Sequence, residues 1–127
     1  MRWLLDTQAL IWLIDDPALL SGPARACLSE SPLDVLVSAA SIWEIAIKRS
    51  IGRLELPVSS ARLLELARES GVPILDVRGE HAARVEELPF HHRDPFDRLL
   101  AAQAMVEGLT IVSSDAIFDR YGVARVW

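Results

Sequence analysis

Short apolar runs alternate with stretches whose apolar residues recur at helical spacing, and the alternation continues along the whole chain. Arg2–Leu5 reads as a strand, followed by an apolar helix from Thr7 to about Ile14. Ser21 caps a helix to Ser29 with Pro23 in its first turn, and Val35–Val37 is a second strand. A helix from about Ala40 to Ser50 stops at Gly52, and another from Ser59 or Ser60 to Ser70 stops at Gly71. Pro73–Val77 is a third strand, and Glu80–Leu88 a helix ended by Pro89. Asp94 caps the next helix with Pro95 at its first position, and Gly108 closes it after Glu107. Leu109–Val112 is a fourth strand, Asp115–Arg120 a short helix and Val123–Val126 a last strand. Strands and helices alternating at this spacing predict an α/β sandwich with a mainly parallel sheet.

At 127 residues the chain is expected to form a single domain, and it shows no internal repeat or linker-like stretch. Cys27 is alone among small and apolar neighbours, which excludes an intrachain disulfide or a cysteine-rich zinc site and predicts a packed core thiol suited to a reducing cytoplasm. The opening stretch Trp3–Ile14 is apolar, but Asp6 interrupts it, Asp15 and Asp16 close it, and no small-residue cleavage site follows. No uninterrupted apolar run approaches the roughly 20 residues of a membrane helix. The expectation is a soluble cytoplasmic protein with no membrane contact. The net charge of −5, from 18 acids and 13 bases, is the wrong sign for gripping a nucleic-acid backbone directly. Two features can offset it: divalent cations held by the acids, or local clusters of bases such as Lys48, Arg49 and Arg53, or Arg93 and Arg98.

In a parallel α/β sheet, ligands bind beyond the carboxyl ends of the strands. Asp6 follows the first strand and Asp115 lies just past the fourth, so the two meet only if those strands are neighbours. Each also makes sense as a helix N-cap. Glu44 can be an exposed partner of Lys48 four residues on, yet it shares a helical face with Ala40, Ile47 and Ile51, where a carboxylate is costly unless something positive meets it. Asp97 suits the helix dipole at its position, but Leu100, Ala101 and Ala104 follow on the same stripe, and Asp94 already supplies the cap. Taken together, four acids aimed at one sheet edge repel one another without a cation. Oxygen donors with no His or Cys partner suit Mg²⁺ or Mn²⁺ rather than zinc. His81, His91 and His92 read as surface or helix-flanking residues. No phosphate-cradling glycine loop is present, and Asp6 lacks the second acid two residues on that an aspartyl phosphotransferase needs, since Gln8 stands there.

LLDTQALIWLI, SAASIWEIAIKRSIGRLELP, LPFHHRDPFDRLLAAQA and IVSSDAIFDRYGV together resemble PIN-domain proteins, and among them the VapC-type toxins of toxin–antitoxin pairs. The resemblance spans essentially the whole length, with DPFDRLLAAQA and SIWEIAIK its specific segments. It implies a three-layer sandwich around a central, mainly parallel five-stranded sheet. It places the family's acidic quartet on Asp6, Glu44, Asp97 and Asp115, with the hydroxyls of Thr7 and Ser114 in support. It implies Mg²⁺- or Mn²⁺-dependent hydrolysis of an RNA substrate by water, leaving 5′-phosphate and 3′-hydroxyl ends, neutralisation by a cognate antitoxin protein, and a homodimer. The alternative within the same fold is a non-catalytic module that binds RNA or acts as a scaffold. The first two helices carry Leu10, Ile11, Trp12, Leu13, Leu19 and Leu20, more apolar surface than one sheet face readily covers. Part of it, with residues of Ser41–Ile51, is expected to form a groove for an antitoxin segment, while Leu10 and Leu13 are expected to fill the core.

Overall fold

In the computed structural model, which describes all residues from Met1 to Trp127, Trp3–Leu5 forms the middle strand, β1. The other elements follow as α1 (Thr7–Asp15), α2 (Gly22–Glu30), β2 (Val35–Ser38), α3 (Ala39–Ser50), α4 (Ser60–Glu69), β3 (Ile74–Leu75), α5 (Gly79–Arg84), α6 (Pro95–Glu107), β4 (Thr110–Val112) and β5 (Arg125–Val126). The five strands pair in the order β3-β2-β1-β4-β5, and every pairing is parallel.

Successive side chains leave a strand on opposite faces, and the register turns this into two cores. Leu4 lies level with Leu36 and Ile111, and these pack against Leu100, Ala101 and Ala104 of α6 together with Phe118 and Tyr121. Leu5 lies level with Val37 and Val112, and these pack against Leu10 of α1, Ala24 of α2, Ile45 of α3 and Leu63 of α4. Helices therefore cover both faces of the sheet, which is why Val35-Leu36-Val37 and Thr110-Ile111-Val112 are buried throughout rather than alternately polar. The result is the α/β sandwich that the strand and helix pattern predicts, in the three-layer, five-stranded form that the family resemblance implies.

The helix ends follow local chemistry. Asp6, Ser21, Ser59 and Asp94 each accept a backbone N–H at the start of a helix. Gly108 ends α6 at φ 67°, a left-handed conformation that turns the chain directly into β4. Cys27 is buried, as expected of a core thiol, and burial pushes its pKa up.

Some expectations need correction. The helix expected over Glu80–Leu88 is α5 followed by a 3-10 turn at Val85–Glu87, because the carbonyls of Val85 and Leu88 turn toward the Arg98 guanidinium. The short helix after Asp115 is a 3-10 helix, Ala116–Tyr121, and the third strand is only two residues long. Further 3-10 turns at Pro17–Leu19 and Pro32–Asp34 each start on a proline, whose fixed φ suits a first helical position. His81 is not a surface residue. It is fully buried, its Nδ1 accepting from the Arg78 N–H and its Nε2 lying 2.9 Å from Glu107. Arg98 does not join Arg93 in a basic surface patch either. It is 6% exposed and donates to the carbonyls of Val85, Leu88 and Pro89. No helix is long and apolar enough to cross a membrane.

Candidate metal centre at the carboxyl ends of β1 and β4

β1 and β4 are neighbours, so the condition for Asp6 to meet Asp115 is fulfilled. Leu5 pairs with Val112, the Asp6 N–H donates to the Val112 carbonyl at 3.1 Å, and Asp6 and Ser113 emerge side by side. From β1 the chain first builds outward through β2 and β3, then crosses to β4 on the other flank. The two crossovers diverge here, opening a crevice at the switch point of the sheet.

A cleft of about 270 Å³ occupies this position. Asp6, Glu44, Asp97 and Asp115 all line it, as do Thr7 and Ser114, so the structure brings every sequence-predicted site residue together. Asp94 and Lys48 line it too. Each acid is held by its own local structure. Asp6 Oδ1 accepts from the Ala9 N–H at 2.7 Å as the cap of α1, and Oδ2 accepts from the Ser113 hydroxyl. Ser113 Oγ also accepts from the Asp115 N–H at 2.9 Å, so one buried hydroxyl ties together the turns that carry two acids. Sequence reading favoured Ser114 for support. Ser113 becomes visible once β1 and β4 are paired, since it follows Val112 as Asp6 follows Leu5. Thr7 donates to Ser41 Oγ at 3.0 Å, fastening the start of α1 to α3.

Glu44 is 5% exposed, with Ala40, Ser41 and Ile45 the other buried residues of α3. The face first assigned to it was partly wrong, because Ile51 is 58% exposed. Glu44 Oε2 accepts from Lys48 Nζ at 2.6 Å, while Oε1 is buried and meets no donor. A buried acceptor without a partner costs about 1–3 kcal/mol. Asp94 Oδ1 caps α6 by accepting from the Phe96 and Asp97 N–H groups. His92 was missed as a site residue. Its Nε2 lies 2.8 Å from Asp97 Oδ2, and donor atoms of His92, Asp94 and Asp97 lie within 4.8 Å of one another. The segment leading into α6 carries no local signal for that contact, since the five-residue separation fits neither helical nor strand spacing.

Burial pushes the Asp6 carboxyl up, opposed by its bonds from Ser113 and Ala9 and reinforced by repulsion from Asp115 and Glu44. Burial also pushes Asp97 up to about 6, with repulsion from Asp94 and Asp6 adding and the His92 bond opposing. The cleft is lined by carboxylate and hydroxyl oxygens with the His92 nitrogen behind Asp97, the acids repel one another, and one buried carboxylate oxygen has no partner. All three observations fit a divalent cation of the Mg²⁺ or Mn²⁺ type.

The Asp97 shift has a measurable consequence. Because the folded-state pKa of about 6 exceeds the ordinary 3.8, ionisation is disfavoured in the folded state. Stability is therefore greatest below about pH 4 and falls as pH rises through 6, by up to about 3 kcal/mol for this group. Asp97→Asn removes that loss. In EDTA at pH 8 the variant is expected to melt several degrees above the parent, with the gap closing near pH 4 in thermal melts followed by circular dichroism. A variant that melts lower at pH 8 would contradict burial as the dominant influence on Asp97.

A five-stranded parallel α/β sandwich with carboxylates gathered at its switch point defines an α/β domain with an acidic cleft. The PIN domain model matches residues 3–124, and the chain belongs to that family. No curated protein matches it by sequence. Among solved structures, it is similar to DNA-bound VapBC from Salmonella typhimurium, at 18% identity over 99% of this chain and 97% of that one, with a TM-score of 0.74. It is similar to VapC20 from Mycobacterium tuberculosis, described as a sarcin-ricin loop cleaving toxin, at 16% identity over 98% of each chain and a TM-score of 0.72. It also resembles FitAcB from Neisseria gonorrhoeae, at 22% identity over 99% and 97% and a TM-score of 0.64. At these identities the likeness is one of fold.

Proposed function

We propose that this chain is a divalent-metal-dependent ribonuclease and the toxin member of a toxin–antitoxin pair. The observation that carries the reading is the buried, unpartnered Oε1 of Glu44, a residue that lines a cleft with four further carboxylates. Membership of the PIN-domain family supports it, because PIN nucleases generally depend on a divalent metal, and so does the description of VapC20 as a sarcin-ricin loop cleaving toxin. Asp6, Glu44, Asp97 and Asp115 would hold the metal. When bound, Mg²⁺ or Mn²⁺ supplies Lewis-acid polarisation of a phosphodiester and offsets its charge.

The protein's own groups do the rest. Ser113 and the Ala9 N–H fix both oxygens of Asp6, so that carboxylate cannot swing away. The His92 imidazole, with Nε2 2.8 Å from Asp97 Oδ2, fixes one oxygen of Asp97 at the cleft wall. Water, rather than the ribose 2′-hydroxyl, is the attacking group in this reading, giving 5′-phosphate and 3′-hydroxyl ends. RNA cleavage is expected to stop in EDTA and return with Mn²⁺ or Mg²⁺, with those ends on the products. Cleavage that survives exhaustive chelation, or 2′,3′-cyclic ends, would remove the basis of the proposal.

The antitoxin reading rests on a second feature. An apolar cavity of about 310 Å³ opens between α1, α2 and α4, lined by Leu10, Leu13, Ile14, Leu28, Leu63 and Leu66 among others. α3 contributes only Ile42 of the stretch expected there, and α4 supplies a wall that the sequence did not suggest. Leu10 itself is core, as expected. In this reading an antitoxin segment fills the groove and places a basic side chain near the acidic cleft. A structure of similar fold from Klebsiella pneumoniae, at 18% identity and a TM-score of 0.60, is described as a toxin–antitoxin complex. A homodimer on a separate surface completes the proposal; co-purification with the neighbouring gene product and light scattering measure both.

A further inference from the structure

Every carboxylate in the cleft but one meets a backbone N–H, a hydroxyl or an imidazole. Asp6 has Ser113 and the Ala9 N–H, Asp94 has two backbone N–H groups, Asp115 has the Ile117 N–H, and Asp97 has His92. Glu44 is the exception. It is the most deeply buried of the acids alongside Asp6, and its single contact is the Lys48 ammonium. Lys48 is in turn the one basic side chain lining the cleft.

An ordinary pair four residues apart on a helix has both ends in water and contributes a few tenths of a kcal/mol. This pair is lopsided. The Glu44 side chain is 6% exposed and that of Lys48 is 45% exposed, so the ammonium reaches in from solvent to an oxygen that nothing else satisfies. The cation is compact, and its flexible stem has a solvent-facing position to return to. With Oε1 unpartnered beside it, the carboxylate can receive a second cation without rebuilding α3.

We propose that Lys48 is an exchangeable counter-ion for Glu44: it occupies the carboxylate until a divalent metal takes it, and the displaced ammonium then contacts a phosphate of single-stranded RNA. The proposal rests on the metal-dependent ribonuclease reading. It explains how a cleft of acids on a protein of net charge −5 receives a polyanion, because metal entry frees a positive charge at the point of substrate entry. The neighbouring bases are less suited to this task. Arg98 is committed to backbone carbonyls, and Arg49 donates to the Leu56 carbonyl.

Two measurements on the full chain test this. Isothermal titration with Mn²⁺ is expected to give a dissociation constant about three- to tenfold tighter for Lys48→Met than for the parent, because Glu44 no longer exchanges one cation for another. Lys48→Arg keeps the competing charge and is expected to stay near the parent value. Binding of a fluorescein-labelled single-stranded RNA with phosphorothioate linkages is then followed by anisotropy in Mn²⁺ at increasing salt. The slope of log affinity on log salt is expected to shrink by about 0.7 in Lys48→Met, the loss of one phosphate contact to a single strand, and to recover in Lys48→Arg. If Lys48→Met binds Mn²⁺ no more tightly than the parent, the exchange is wrong while the nuclease reading stands. An unchanged salt slope would equally overturn the phosphate contact. Should the parent fail to bind Mn²⁺ at all, this proposal and the ribonuclease reading fall together.

Discussion

Asp6→Asn is expected to lower RNA cleavage by about a thousandfold or more while leaving the fold in place. The magnitude follows from removing a charged oxygen donor from a site whose proposed chemistry is electrostatic. The fold survives because Asn caps helices about as well as Asp, so the bond from the Ala9 N–H to the side chain can persist. The buried negative charge disappears at the same time, and its pKa is already pushed up by burial. Metal-free stability at neutral pH should therefore hold or rise. A cleavage assay with purified protein in Mn²⁺, paired with a thermal melt, separates the two effects. Parent-like cleavage by a folded Asp6→Asn would refute the assignment of the site. Loss of cleavage accompanied by unfolding would show that Asp6 is needed first as a cap.

Arg98→Met is expected to be the most destabilising substitution, by about 3 kcal/mol, or a melting temperature roughly 10 °C lower. Methionine keeps much of the buried stem but removes the donors to the carbonyls of Pro89, Val85 and Leu88, at 2.9, 3.2 and 3.3 Å. Those acceptors stay under the same cover with less to satisfy them. The guanidinium also lies 4.3 Å from the centre of the Phe90 ring, a contact that Met replaces without the charge. Damage should spread to the cleft, because the segment that Arg98 pins from Val85 to Pro89 runs on into His92 and Asp94. Mn²⁺ affinity is accordingly expected to fall along with the melting temperature. A variant that melts within about 2 °C of the parent would show that the carbonyls find other partners.

What could be read from sequence divides along the reach of the interactions. Asp94-Pro95 and Gly108 announced both ends of α6 because capping and left-handed turns are decided within a few residues. The apolar runs of β1, β2 and β4 announced a buried parallel sheet for the same reason. Whether Asp6 meets Asp115 depended on β1 lying beside β4, a pairing between residues more than 100 positions apart, which periodicity alone does not report. His81 was expected at the surface or flanking a helix, and Arg98 in a local cluster of bases with Arg93, because arginines are mostly exposed and histidines only partly buried. Their burial depends on distant partners, Glu107 for one and a row of carbonyls for the other. Glu44 shows the intermediate case: its inward projection was legible from α3, but its orphaned oxygen depends on the packing of other elements around it.

The hydroxyl of Ser113, bonded to Asp6 across 107 positions of sequence, also sets a schedule. The ribosome makes residues 6, 44 and 97 well before 113 and 115, and an incomplete chain can collapse around β1, β2 and the early helices without them. Until β4 slides in beside β1, Asp6 has neither the Val112 carbonyl nor the Ser113 hydroxyl to hold it, and the cleft lacks a wall. Long-range parallel pairing is among the slower steps of folding. A chain that has not yet added β4 therefore lacks the complete acidic cleft, however far its earlier elements have folded.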